Sequence, residues 1–313
     1  MNLEDSSKLG KRFSADSAYV YIGNQVALGP RVPGTEGHRK CVEYIKSELA
    51  RFGADTIISQ TATLEAFNGD KLPMENILGQ FNSKENDRII LVAHYDTRPW
   101  ADNDPETTNR MTPIPGANDG ASGVGVMLEI ARLLGEQTPS VGVDLLFVDT
   151  EDYGCSDGWS LNDESWAMGS QYFASHLPYT SITKPRYGIV LDMVGGIDGR
   201  FHREYFSEKY APGLLDKIWL MAQDIGYGNV FINQLGGSII DDHIPLCKAG
   251  IPTIDIVECN NATTCSFPAT WHTLQDDMNN ISRTTLKAVG SVVATAIYDE
   301  RPVDATTKNP NIQ

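Results

Sequence analysis

The sequence predicts a single α/β domain with a central, mostly parallel mixed sheet between helical layers. Three observations predict it: uninterrupted apolar runs that end abruptly in polar residues, helical periodicity in the segments between them, and no linker that would divide the chain. At 313 residues, 41% hydrophobic and 21% charged, the chain can bury a large core.

The elements follow in order. The stretch CVEYIKSELARFG from Cys41 reads as an amphipathic helix, with Val42, Ile45, Leu49 and Phe52 near one face and Gly53 ending it. ADTIISQTATLEAF and then Asn76–Phe81 change to β-branched composition and read as paired outer strands. Ile89–Ala93 is apolar throughout and stops at His94-Tyr95-Asp96, as expected of a strand covered on both faces. Ser122 to Leu134 has helical spacing, and Val143–Val148 is a second buried strand, ending in Asp149, Glu151 and Asp152. A helix starts near Gly169 and leads toward His176, and Tyr187–Leu191 is a strand ending at Asp192. Leu214–Asp224, Pro252–Val257 and Thr284–Tyr298 read as helix, strand and closing helix. Asp241-Asp242-His243 and Trp271-His272 fall in late loops.

The formal charge of −16, from 41 acidic and 25 basic residues, comes with no basic stripe. That argues against nucleic acid or an anionic bilayer as a partner. No apolar stretch is long enough to span a bilayer, and the first residues lack a signal peptide's apolar segment. A cytoplasmic protein, or one whose leader has been removed, fits both facts. The five cysteines form no CxxC pair, which speaks against a zinc–thiolate site. Cys259 and Cys265 could bridge a short loop in an oxidising compartment.

In an open α/β sheet the ligand crevice lies outside the carboxyl ends of the strands. Here three buried runs end in His94, Glu151-Asp152 and Asp192. Asp119, within Gly116–Gly123, would ordinarily cap the following helix, but the repeated glycines let the backbone turn its carboxylate into a crowded site. Glu151 and Asp152 together in a crevice would raise at least one carboxyl pKa unless a cation were present. A metal resolves the conflict, leaving one acid to ligate and the other to carry a proton. Asp119, Asp152 and His272 make an O/O/N set suited to zinc, with one position open.

These residues sit in a wider pattern. Arg31–His38, His94–Trp100, Asn118-Asp119-Gly120, Glu151-Asp152, Gly169-Ser170, Leu191–Met193, Asp241–Leu246 and Phe267-Pro268 followed by Trp271–Thr273 appear in this order across nearly the whole chain. With it the chain resembles the glutaminyl-peptide cyclotransferases, or glutaminyl cyclases, within the wider family of M28 zinc aminopeptidases. The earlier stations mark the superfamily; DDHIPL and Phe-Pro followed by Trp-His look like a cyclase. The resemblance implies an aminopeptidase-like catalytic domain over residues 31–300, a segment 1–30 packing on or preceding it, and a polar tail 301–313. It implies one zinc on Asp119, Asp152 and His272, Glu151 as the proton-transfer acid, and Asp192 and Asp241 as a hydrogen-bonded acidic pair. Trp271, Phe267 and Trp159 would wall the substrate pocket.

Two departures stand out. The family has glutamate where this chain has Asp152, and animal cyclases have histidine at Asp255. The implied reaction closes an N-terminal glutamine to pyroglutamate with loss of ammonia, on peptide or protein substrates, by a monomer. Bacterial relatives are often exported. The rival is a two-zinc aminopeptidase, in which His94 and Asp192 hold the second metal and Asp119 bridges.

Overall fold

A computed structural model describes residues 3–156, 163–259 and 266–302. Among them the central sheet has six strands: β1 (Thr56–Glu65), β2 (Lys71–Phe81), β3 (Arg88–His94), β4 (Gly142–Val148), β5 (Gly188–Asp192) and β8 (Thr253–Val257). Their order is β1-β2-β4-β3-β5-β8. The β1/β2 hairpin is antiparallel and β2 joins β4 antiparallel, while β4, β3, β5 and β8 run parallel. The carboxyl ends of the four parallel strands therefore share one edge, and each ends next to an acid or histidine. The expected pair of outer strands is one edge strand, β1, whose β2 partner bonds inward to β4.

The parallel strands are buried along their whole length, so both faces need cover. Alternate residues supply it. Ile89, Leu91, Ala93, Val143, Leu145 and Phe147 face the larger core, formed with α2 (Ala15–Val26), α3 (Glu36–Arg51), α4 (Ala121–Glu136), α7 (Pro212–Asp224) and α9 (Arg283–Asp299). Ile90, Val92, Leu146, Val148 and Val190 face the smaller core with Phe173 of α5 (Met168–Ser175) and Leu246 of α8 (His243–Lys248).

Two features differ from the sequence reading, and a third adds to it. α3 starts at Glu36, because Thr35 caps it by accepting a hydrogen bond from the His38 amide. The first thirty residues hold α1 (Leu3–Gly10) and α2, which pack on α9 and α4. α2 seats Ile22 against Gly125, where a Cβ would come within 2.5 Å of the isoleucine. The Asp241–His243 segment leads straight into α8 instead of staying in a loop. A small parallel pair, β6 (Phe201–Arg203) with β7 (Phe231–Leu235), and α6 (Tyr205–Tyr210) complete the strands and α-helices among the described residues. These elements are too short to show a period in sequence.

Candidate metal centre and active site

The strand ends and two distant loops bring the sequence-predicted residues together. His94 ends β3, Asp192 ends β5, Glu151 and Asp152 follow β4, and Asp119 lies just before α4. Gly120 takes φ 89°, and a Cβ there would meet the Asp96 carbonyl at 2.8 Å, so glycine lets the Asp119 loop lie against β3. His272 itself has φ 55°, as Thr150 has 53° and Met193 has 47°. Left-handed backbone at three non-glycine positions beside the cluster is strain held by the surrounding structure.

Two donor sets result, each with its atoms within 4.8 Å of one another: Asp119, Asp152, His272 and His94, Asp119, Asp192. His272 Nε2 lies 3.2 Å from Asp152 Oδ1 and 3.6 Å from Asp119 Oδ2. His94 Nε2 lies 3.1 Å from Asp119 Oδ1 and 3.2 Å from Asp192 Oδ1. Asp119 thus turns one oxygen to each histidine. Asp119 Oδ2 and Asp152 Oδ2 are buried with no hydrogen-bond partner, an arrangement that costs free energy unless a cation fills it.

Sequence reasoning missed the residues that fix these candidate ligands. Asp96 accepts from the Glu151 and Asp152 amides, at 3.1 Å each, and Asp276 accepts from the Asn118 and Asp119 amides at 2.7 and 3.0 Å. Asp102 Oδ1 sits 3.2 Å from His272 Nδ1 and is held by Arg98, whose guanidinium also donates to the Asp152 carbonyl. Both histidines turn Nε2 inward and Nδ1 toward an outer carboxylate, since Asp96 Oδ1 is 3.5 Å from His94 Nδ1. The only sequence signal was that Asp96, Asp102 and Asp276 lie within eight residues of a ligand candidate; which backbone amides they meet depends on the fold.

The electrostatics of the metal-free chain follow from this crowding. Burial pushes the Glu151 carboxyl far above its ordinary range; His94 opposes the shift, and Asp241, Asp152 and Asp242 reinforce it. Burial likewise lifts Asp192 to about 7 and raises Asp152. For Asp119 burial also pushes upward, but the hydrogen bond and charge of His94, with the charges of His272 and Arg98, carry its pKa below the ordinary value. Burial opposes protonation of His94, yet hydrogen bonds to Asp119, Asp192 and Asp96 carry its pKa well up.

Glu151, Asp192 and Asp241 face a cavity of about 230 Å³ together with the first ligand set. Trp166, Ile239, Ile240, Phe267 and Trp271 line the rest. Trp271 stacks on His272 with ring centroids 3.7 Å apart, and Trp166 lies near-parallel to the same imidazole at 6.2 Å. Phe267 and Trp271 thus line the same cavity as the candidate ligands. Trp159 and Cys265 lie outside the described residues. Trp166 is an aromatic the sequence reading passed over, although it stands in the same stretch between the strand-end acids and α5.

Comparison with known proteins agrees with this architecture. The model of peptidase family M28 matches residues 76–297, most of the chain. The chain belongs to peptidase family M28. Within the family its fold matches a Bacteroides thetaiotaomicron glutaminyl cyclase bound to N-acetylhistamine at 47% identity and TM-score 0.88, covering 92% of this chain and 99% of that one. It matches a leucine aminopeptidase precursor from the same organism at 46% identity and TM-score 0.87, covering 92% and 98%. Aminopeptidase YwaD of Bacillus subtilis is 26% identical over 295 residues, 90% of this chain but 56% of that protein, so this chain spans little more than half of that relative. Glutaminyl cyclases and M28 exopeptidases thus both stand among its relatives, as the sequence motifs implied.

Proposed function

We propose that this M28 protein is a zinc-dependent glutaminyl-peptide cyclotransferase, converting the N-terminal glutamine of peptides or proteins to pyroglutamate with release of ammonia. The observation that carries the reading is the small aromatic-walled cavity, in which Glu151 and the Asp119/Asp152/His272 set face Trp166, Phe267 and Trp271. About 230 Å³ holds one side chain folded back on its own amine, and its walls limit water, which cyclisation does not consume. Cyclase relatives of high identity support the same reading.

The donor set suits zinc: two carboxylates and an imidazole, with unpaired oxygens on Asp119 and Asp152. Zinc held there would supply Lewis-acid polarisation of the side-chain amide carbonyl. Glu151 accepts a proton from the attacking α-amine and returns it to the amide nitrogen, which leaves as ammonia when the ring has closed. Burial keeps its carboxyl able to hold that proton. Asp241 and Asp192, on the same cavity wall, hold the proton network beside it. One ion is favoured because the orphaned carboxylate oxygens belong to the His272 set, whereas His94 hydrogen-bonds Asp192 and lies 3.1 Å from Asp119.

A second reading rests on one observation: Asp119 turns an oxygen to each of two donor sets. In a two-metal aminopeptidase it would bridge, His94 and Asp192 would complete the second site, and Glu151 would activate water. One assay separates the two. Zinc-replete protein is given an N-terminal Gln peptide and an N-terminal Leu peptide. Ammonia with a peptide lighter by that molecule supports the cyclase, free leucine supports the peptidase, and neither product defeats both. One tightly held zinc per chain is expected; two would favour the peptidase.

A further inference from the structure

A second cavity, of about 400 Å³, adjoins the catalytic one: Trp166, Ile240 and Asp241 line both. It forms a groove between α5 and α8. The shared residues stand just before these helices start, whereas Ser175, Lys248 and Ala249 line it where they end, so the groove leads away from the catalytic cavity. From the α5 side Ala167, Gln171, Ala174 and Ser175 face it, the spacing of one helical face, and from α8 Ile244, Pro245, Lys248 and Ala249 do the same. The small side chains of Ala174, Ser175 and Ala249 leave its far end open.

The groove is tied to the catalytic turn. The Ala167 amide donates to the Glu151 carbonyl at 3.1 Å, and the Met168 amide to the Thr150 carbonyl at 3.2 Å. Gln171 Nε2 donates to the Glu164 and Trp166 carbonyls at 2.8 and 2.7 Å, which holds Trp166 between the two cavities. Ser175 Oγ donates to the Gln171 and Tyr172 carbonyls at 3.0 and 2.9 Å. With both side chains occupied, the groove offers an occupant apolar surface and charge. Glu164 lies near Trp166, and Lys248 is exposed at the opposite end. Lys248 has no hydrogen bond or ion pair with a described residue. Lys184, donating to the Ala249 carbonyl at 3.4 Å, adds a second ammonium at that end. On a chain of net charge −16 this is a local positive site.

We propose that this groove takes the second and third residues of the peptide substrate and favours an acidic third residue. The inference rests on the cyclase reading. With the glutamine α-amine turned to Glu151, the chain beyond its carbonyl must leave the small catalytic cavity, and the groove begins at that cavity's own wall. A helix rises about 1.5 Å per residue, so Lys248 lies about 10 Å beyond Asp241. Two extended residues advance a peptide about 7 Å, and a glutamate side chain spans the rest. A glutamate at the second position would meet Glu164 instead.

The test measures ammonia release by zinc-replete protein from glutamine amide, Gln-Ala-Glu-Ala amide and Gln-Ala-Lys-Ala amide. Wild type should turn over the Glu peptide with a kcat/KM about threefold or more above that of the Lys peptide at low salt, and the difference should shrink at high salt. Lys248→Glu should reverse the order. Ala174→Trp, which fills the groove, should lower kcat/KM for both tetrapeptides about tenfold or more and leave glutamine amide within about twofold, because glutamine amide occupies the catalytic cavity alone. Equal kcat/KM for the two tetrapeptides in wild type, or tetrapeptide turnover unchanged in Ala174→Trp, overturns the proposal.

If Ala174→Trp also slows glutamine amide, Ser175→Trp at the exposed end of α5 takes its place and is read in the same way. If no glutamine substrate releases ammonia and leucine is freed from Leu-Ala-Glu-Ala amide, the cyclase reading fails. The groove is then judged by the same variants on the corresponding leucine peptides.

Discussion

Asp96 gives the sharpest test of how this centre is held. It is fully buried, and its two oxygens each accept one amide, from Glu151 and Asp152, while Oδ1 lies 3.5 Å from His94 Nδ1. Asp96→Asn keeps one acceptor and turns an NH2 toward the other amide, so one buried N–H loses its partner. That loss costs about 1–3 kcal/mol, which lowers the melting temperature of a chain this size by roughly 2–6 °C. Releasing the Glu151-Asp152 turn should also loosen Asp152 as a ligand, and outer-partner changes of this kind typically weaken metal affinity about 10–100-fold. The assay is competition for zinc against a chelator of known affinity, run beside thermal melts of metal-stripped and zinc-loaded protein. A variant that binds zinc within about twofold of wild type and melts at the same temperature would refute the argument.

Two further outcomes are expected. Glu151→Gln should retain zinc and fold normally but lose about 10²–10⁴-fold in kcat; retained turnover would remove Glu151 from proton transfer. Metal-stripped protein should lose stability as pH rises from 6 to 8. Asp192, Asp276 and Glu258 are each raised by burial to about 7. The stabilisation from their protonated forms is complete below their unfolded pKa values and is lost as pH rises through about 7. Zinc should remove or reverse that slope, since ligation needs ionised carboxylates. A flat or rising melting temperature between pH 6 and 8 without metal would contradict the burial argument.

The sequence by itself determined the parallel sheet and the edge on which the site lies. Strands covered on both faces must be continuously apolar, so the first polar residue marks the strand end; this is why His94, Glu151-Asp152 and Asp192 were legible. It also supplied Asp119 and His272 through glycine-rich and Trp-His loops, and their position within M28 motifs. Tertiary structure alone decided the rest. That Asp119 faces two histidines, that Asp96 and Asp276 clamp the ligand loops through backbone amides, and that Trp166 lies beside His272 all depend on contacts with no sequence period. The same holds for Glu204, His243 and Asp255, acids and an imidazole spread over fifty residues that the closed chain brings into one buried place. A carboxylate's role is set by which donors surround it, and those donors are chosen when the chain closes on itself.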